Sequence, residues 1–211
     1  MASERRLGAK GSEMRTRFID AAEAILSEGG GSTISSRLVA QRAGLKMQLL
    51  YYYFQTMDDL LLAVVRRVNE RRLVRFEEAV TSANPLRAFW EQLIEPANAT
   101  LAAEMIAIAK RREAVRAEIV GFGHKYRLLQ TSVVENLLTP PDPGGVQYSA
   151  AGIVMIAAAV ARMLINEAEV GFTAGHADAL SIVEQLIDLL GRAREGGLAR
   201  GGIDPRNEGI G

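Results

Sequence analysis

Residues 35–62 read SSRLVAQRAGLKMQLLYYYFQTMDDLLL. The spacing predicts two short helices joined by a tight turn, then the start of a longer helix. Ser35 suits the N-cap of the first, because its hydroxyl accepts from a backbone N–H that a helix start leaves unpaired. Val39 and Ala40 follow on the apolar side. Ala43, Gly44 and Leu45 form the turn: glycine tolerates positive φ, and Leu45 plugs back into the core. The second short helix is expected over Lys46–Phe54.

On that helix Met47, Leu50 and Phe54 share one side at helical spacing and are expected to pack inward. Gln48, Leu49 and Tyr52 fall opposite, with Lys46, Tyr51 and Tyr53 at the edges. The outward set differs from the glutamates and lysines of an ordinary solvated face. Gln reads adenine bidentately, an apolar group meets a thymine methyl, and Tyr and Lys hold phosphates. A helix-turn-helix carries such a face into the major groove. The candidate DNA-contacting residues are therefore Ser35, Arg37, Lys46, Met47, Gln48, Leu49, Tyr51, Tyr52 and Tyr53.

This stretch resembles the DNA-binding domain of the TetR family of transcriptional regulators. The resemblance rests on Ala21-Ala22, Gly29, Ser35, Val39-Ala40, Ala43-Gly44-Leu45, Tyr51, Tyr53-Phe54 and Asp59-Leu60, spanning residues 17–64. These residues are specific as a set. Three positions depart from the family pattern. Lys46 stands where a Ser or Thr usually caps the recognition helix, Gln48 where Gly is common, and Met57 where a Lys contacts phosphate. The resemblance implies an effector pocket in the helical body and, most often, repression. It also implies that the helix from Met57 carries the signal between head and body.

The chain has 211 residues and no cysteine, which removes disulfides, zinc–thiolate sites and thiol chemistry. No metal or cofactor is expected. The N-terminus has no apolar run after Arg5-Arg6, so it does not read as a signal peptide. The uncharged stretch Val146–Ala161 falls short of the ~20 residues of a spanning helix. A cytoplasmic protein with no membrane partner is expected. Net charge is zero but uneven: residues 1–75 hold 13 Lys/Arg against 8 Asp/Glu, and the remainder 12 against 17. A basic N-terminal module on an acidic body follows.

Along the chain, residues 1–11 read as a mobile arm and Ser12–Glu28 as the first helix. Gly29-Gly30-Gly31 stops it. A long helix from Met57 to about residue 79 carries Arg66, Arg67, Arg71, Arg72 and Arg75, which read as a solvated basic stripe. Helices are expected over residues 86–95, 97–110, 111–138, 148–170 and 178–194, with a bend at Gly121-Phe122-Gly123 and a Pro/Gly-rich loop over 139–147. In the last helix Val183, Leu186, Ile187 and Leu190 lie in a stripe too broad for one core. With Ala151 and Ala158 of the preceding alanine-rich helix, they are the candidate homodimer interface.

No catalytic constellation is present. The two histidines, His124 and His176, have no nucleophile or metal motif around them. His124 reads as a cavity residue or a locally satisfied polar group, and His176 as surface. Large, adaptable side chains suggest an apolar cavity instead: Phe89, Trp90, Met105, Phe122 and Met155, with His124, Tyr126, Arg162 and Asn166 as polar partners. The expected fold is all-α with about nine helices. Its parts are a helix-turn-helix head over 1–56, an effector-binding and dimerisation body over 57–195 and a loose tail over 196–211. The expected function is a dimeric, non-enzymatic, effector-released repressor on a palindromic double-stranded operator. A helical ligand-binding or scaffold protein with lost operator specificity is the alternative.

Overall fold

The computed structural model describes residues 2–137 and 148–200. Among them are nine α-helices, one 3-10 turn and no strand. The helices are α1 (Ala2–Ser27), α2 (Ser36–Ala43), α3 (Met47–Tyr53), α4 (Met57–Thr81), α5 (Pro85–Leu93), α6 (Pro96–Ala109), α7 (Glu113–Leu137), α8 (Ala150–Glu169) and α9 (His176–Arg200). The all-α expectation holds.

Several boundaries differ. α1 starts at Ala2, so the expected mobile arm is helical. Its Ala, Glu, Arg, Leu and Lys residues favour helix and outweigh the local cost of Gly8 and Gly11. α7 passes through Gly121 and Gly123 without interruption, and a Cβ at either would meet nothing within 4 Å. α9 continues past residue 195 to Arg200. The 139–147 loop and residues 201–211 of the tail lie outside the described residues. α8 is, by length and composition only, apolar enough to cross a membrane. Its buried residues Ala150, Val154, Ala161 and Ile165 recur along one stripe, as expected of a helix that packs inside a protein.

The chain divides into two compact units, and the cuts differ from those expected at residues 56 and 195. The first takes residues up to 76 together with 95–126; the second takes 77–94 and the chain from 127. The core of the first unit is Phe18, Ala22, Ile25 and Leu26 of α1, with Val39, Leu50, Phe54, Leu60, Leu61 and Val64. Leu101, Met105 and Ile108 of α6 and Val115 of α7 complete it. Gly31 lets α6 approach closely, while Gly30 lies against Ile25 at the end of α1. Gly29 has φ 78°, a Cβ on Gly31 would collide with the Glu104 carboxylate, and a Cβ on Gly30 would sit 2.8 Å from the Ile25 carbonyl oxygen.

Arg66, Arg71, Arg72 and Arg75 of the α4 stripe are exposed, as a solvated face requires, but the stripe is also paired. Arg67 pairs with Asp20 and Glu23, and Arg71 with Glu23, tying α4 to α1. Arg66 pairs with Glu118 of α7 at 2.8 Å, and Arg75 with Glu95 at 2.7 Å. Hydrogen bonding to Glu118 pushes the Arg66 guanidinium above its already high range. The Arg72 guanidinium lies 4.8 Å from the Tyr126 ring centroid and 5.8 Å from that of Phe122. Every partner is distant in sequence, so periodicity alone could not reveal them.

In the second unit Trp90, Ala161 and Ile187 form one buried cluster, with Leu86, Leu93, Leu164 and Val183 packed against it. Val134, Ala150 and Val154 form another with Phe89 and Ile153. Arg87 pairs with Glu184 and Asp188 of α9. His176, expected at the surface, is mostly buried and meets a Glu167 carboxylate oxygen at 2.9 Å.

Candidate nucleic-acid interface

α2, the turn and α3 are positioned by local caps and by two long-range arginines. The Ser35 hydroxyl accepts from the Leu38 N–H at 3.3 Å, as expected of an N-cap. Gly44 ends α2 with φ 65°, and the Leu45 N–H donates to the Ala40 carbonyl at 3.0 Å. Arg17 donates to the Ala43 carbonyl at 2.6 Å. A cation there offsets the negative end of α2. Arg15 lies over the Phe54 ring at 5.1 Å. Thr56 and Asp59 cap α4 reciprocally. Asp59 Oδ2 accepts from the Thr56 N–H at 2.8 Å, and the Thr56 hydroxyl accepts from the Asp59 N–H at 3.1 Å.

α3 is turned about its axis relative to the sequence expectation. Leu50 and Phe54 are buried as foreseen, but Met47 is 43% exposed. Leu49 and Tyr53 pack against the core instead of facing out, and the Tyr53 ring lies 6.5 Å from Phe18. The buried side centres near Leu50, a rotation of about 60° at 3.6 residues per turn. A helix of two turns leaves this angle undetermined by its own sequence. Packing against Phe18 settles it.

The exposed side is then Met47, Gln48, Tyr51 and Tyr52, with Tyr52 79% exposed. Lys46 is exposed at the N-cap and makes no side-chain cap bond. Arg37 is exposed on α2, and Ser35 is exposed with its oxygen engaged as a cap. Ser36, not foreseen as a functional residue, accepts from the Tyr51 hydroxyl at 3.1 Å and donates to the Met47 sulfur at 3.8 Å. Tyr52 packs edge-on against Tyr53 at 5.0 Å. Both exposed rings are therefore braced. No acidic residue occurs between Lys46 and Phe54.

The candidate ligand residues are not gathered in one place. Met105 belongs to the core of the first unit. Phe122 and Tyr126 stack at 5.4 Å beneath Arg72, with Phe76 edge-on to Tyr126. His124 is exposed on α7. Phe89 and Trp90 lie in the packed clusters of the second unit. Met155, Arg162 and Asn166 are exposed along α8.

The candidate dimer residues divide as well. Ile187 is buried in its own unit's core, Val183 and Ala158 are half-buried, and Leu190 is half-buried. Ala151 and Leu186 are exposed. The exposed apolar residues, missed in part by the stripe reading, are Met155, Ile156 and Met163 on α8 and Ile182, Leu186 and Leu189 on α9.

This head is a helix-turn-helix whose second helix presents an acid-free, braced polar-aromatic face. Residues 18–64 match the family described as "Bacterial regulatory proteins, tetR family". The chain is similar to the HTH-type transcriptional repressor KstR of Mycolicibacterium smegmatis, with 40% identity over 70 residues, covering 33% of this chain and 34% of that protein. It is 32% identical over 66 residues to the HTH-type transcriptional regulator UidR of Escherichia coli K12, covering 31% of this chain and 34% of that one. The match thus spans about a third of the length of these curated relatives. The fold resembles Salmonella enterica GusR, with TM-score 0.62 at 17% identity, over 87% of this chain and 96% of that one. It also resembles a transcriptional regulator from Rhodococcus sp. Rha1, with TM-score 0.62 at 20% identity, over 90% and 99% of the two chains. A third neighbour, at TM-score 0.55 and 22% identity over 86% and 89%, is multidrug binding protein EbrR complexed with imidazole.

Proposed function

We propose that the protein is a DNA-binding transcriptional regulator that acts as a homodimer on a near-palindromic operator. The observation that carries this reading is the exposed side of α3. Its side chains are tied to the rest of the head through Ser36 and Tyr53, carry no acid, and suit base edges. Exposed apolar side chains on α8 and on α9 are of the kind that a second copy covers, which would set two recognition helices on successive major grooves. Repression, relieved by a small, largely apolar effector, is the form of control proposed, with no enzymatic step.

The effector reading draws support from one buried group. Trp90 Nε1 has no hydrogen-bond partner among the described residues, although buried indole N–H groups normally have one. An apolar effector carrying a hydrogen-bond acceptor would satisfy it. Trp90 is the sole tryptophan in the chain, so its emission reports such binding directly. An effector would act only by preferring the head arrangement that fits DNA less well.

The test is a gel shift of the full chain against inverted repeats from the DNA around its coding region, over a range of salt. Sequence-selective, salt-steep binding is expected. Gln48→Ala and Tyr52→Ala should each cost about 1–3 kcal/mol of discrimination while the dimer persists. Undiminished selectivity in both variants would overturn the assignment of the reading face. A second reading is a helical ligand-binding or scaffold protein without operator choice. It is favoured by the uncapped Lys46 and by Met57, which packs on the core instead of offering a cation. Weak binding, uniform across sequences, would select it.

A further inference from the structure

We propose that α3 reads A·T base pairs at the centre of each half-site in preference to G·C. The inference rests on the regulator reading above. It deepens that reading by assigning the base class from which side chains are free and which hydrogens they have left to give.

The rotation of α3 leaves four side chains on the exposed side, Met47, Gln48, Tyr51 and Tyr52. A helix-turn-helix commonly brings three or four side chains to base edges. Guanine shows two acceptors, N7 and O6, in the major groove, and its usual partner is the double donor of Arg or Lys. None of the four is such a donor. Tyr51 has directed its hydroxyl hydrogen to Ser36, whose own hydrogen points to the Met47 sulfur. The Tyr51 oxygen is therefore left as an acceptor, which adenine N6 can meet and guanine N7 and O6 cannot, while in a G·C pair only the cytosine N4 amine could meet it. The Gln48 amide pairs one donor with one acceptor, matching adenine N7 and N6 and mismatching guanine O6. Met47 and the braced Tyr52 ring supply apolar surface suited to thymine C5-methyl groups, which cytosine lacks. The nearest cations are not among these four: Lys46 is the exposed N-cap residue before the helix, and Arg37 belongs to α2. Both suit phosphates, which position the protein without reading sequence.

The experiment is selection of bound duplexes from a random pool by the full chain, followed by base-analogue substitution in the selected duplex. The expected product is an inverted repeat with A·T pairs at the centre of each half. Uracil in place of a contacted thymine should weaken binding about fourfold per methyl removed, the value of one buried carbon. Replacing the contacted adenine by 7-deazaadenine removes N7 and should cost about fivefold, one hydrogen bond. Gln48→Arg should move the preferred base at that position towards guanine. Selection of an inverted repeat with G·C centres would overturn the inference and leave the regulator reading standing. Equal binding of the uracil duplex would overturn the methyl contact and with it the assignment. A pool that emerges without any preferred sequence would sink both.

Discussion

α3 and α9 each expose a side with few charges, yet the two faces are built differently. On α3 the exposed groups are an amide, a thioether and two tyrosines, all ending in a polar or polarisable atom, and three of them are linked through Ser36 or Tyr53. On α9 they are Ile182, Leu186 and Leu189, purely aliphatic and without a tether. A base edge needs directional hydrogen bonds from preorganised donors and acceptors. Another helix needs only shape and apolar area. Low charge on a helix face is thus insufficient evidence of its partner. The atoms at the tips of the side chains decide between nucleic acid and protein.

The largest effect that would sharpen this contrast is on α9. If the proposed dimer forms through this face, Leu186→Glu with Leu189→Glu should abolish it in sedimentation velocity and lower affinity for a two-half-site operator more than a hundredfold, because linkage of the two heads is lost. A variant that stays dimeric would show that the aliphatic face meets something else. Next is the buried side of α3. Leu50→Ala opens a cavity beneath the reading helix and should cost about 3 kcal/mol in urea unfolding. An unchanged midpoint would mean that the rotation of α3 is not anchored there. Ser35→Ala removes the α2 cap and should cost about 1 kcal/mol, with Ser35→Asp restoring it. The smallest effect is expected for Arg42→Ala, whose pair with Glu28 is well exposed. Its loss should change stability by about 0.5 kcal/mol or less. A larger change would show that this pair holds the head's geometry.

Much of the head was legible before any coordinates. The reach of Ser35 is to an N–H three residues on, and the αL turn at Gly44 involves only its neighbours, so both follow from local residue chemistry. The body was legible as helices, with breaks close to their observed places, but not as a site. Phe89, Trp90, Met105, Phe122 and Met155 share a chemistry of large adaptable side chains. Packing nevertheless sends them to three different clusters, an aromatic stack and an exposed helix side. Apolar character specifies that a residue will be buried somewhere, not which neighbours it meets.

What the sequence by itself determined was the all-helical class, the helix-turn-helix, its caps and the absence of acid on its second helix, because each of these is encoded within a few residues. What only the tertiary structure decided was the angle at which α3 presents that helix's side chains, the partners of the α4 arginines, and which leucines of α9 remain uncovered. A seven-residue helix is too short for its own pattern to define a face. The partners of Arg66 and Arg67 lie between 44 and 52 residues away along the chain. Those outcomes depend on which surfaces meet in three dimensions, and no local pattern carries that information.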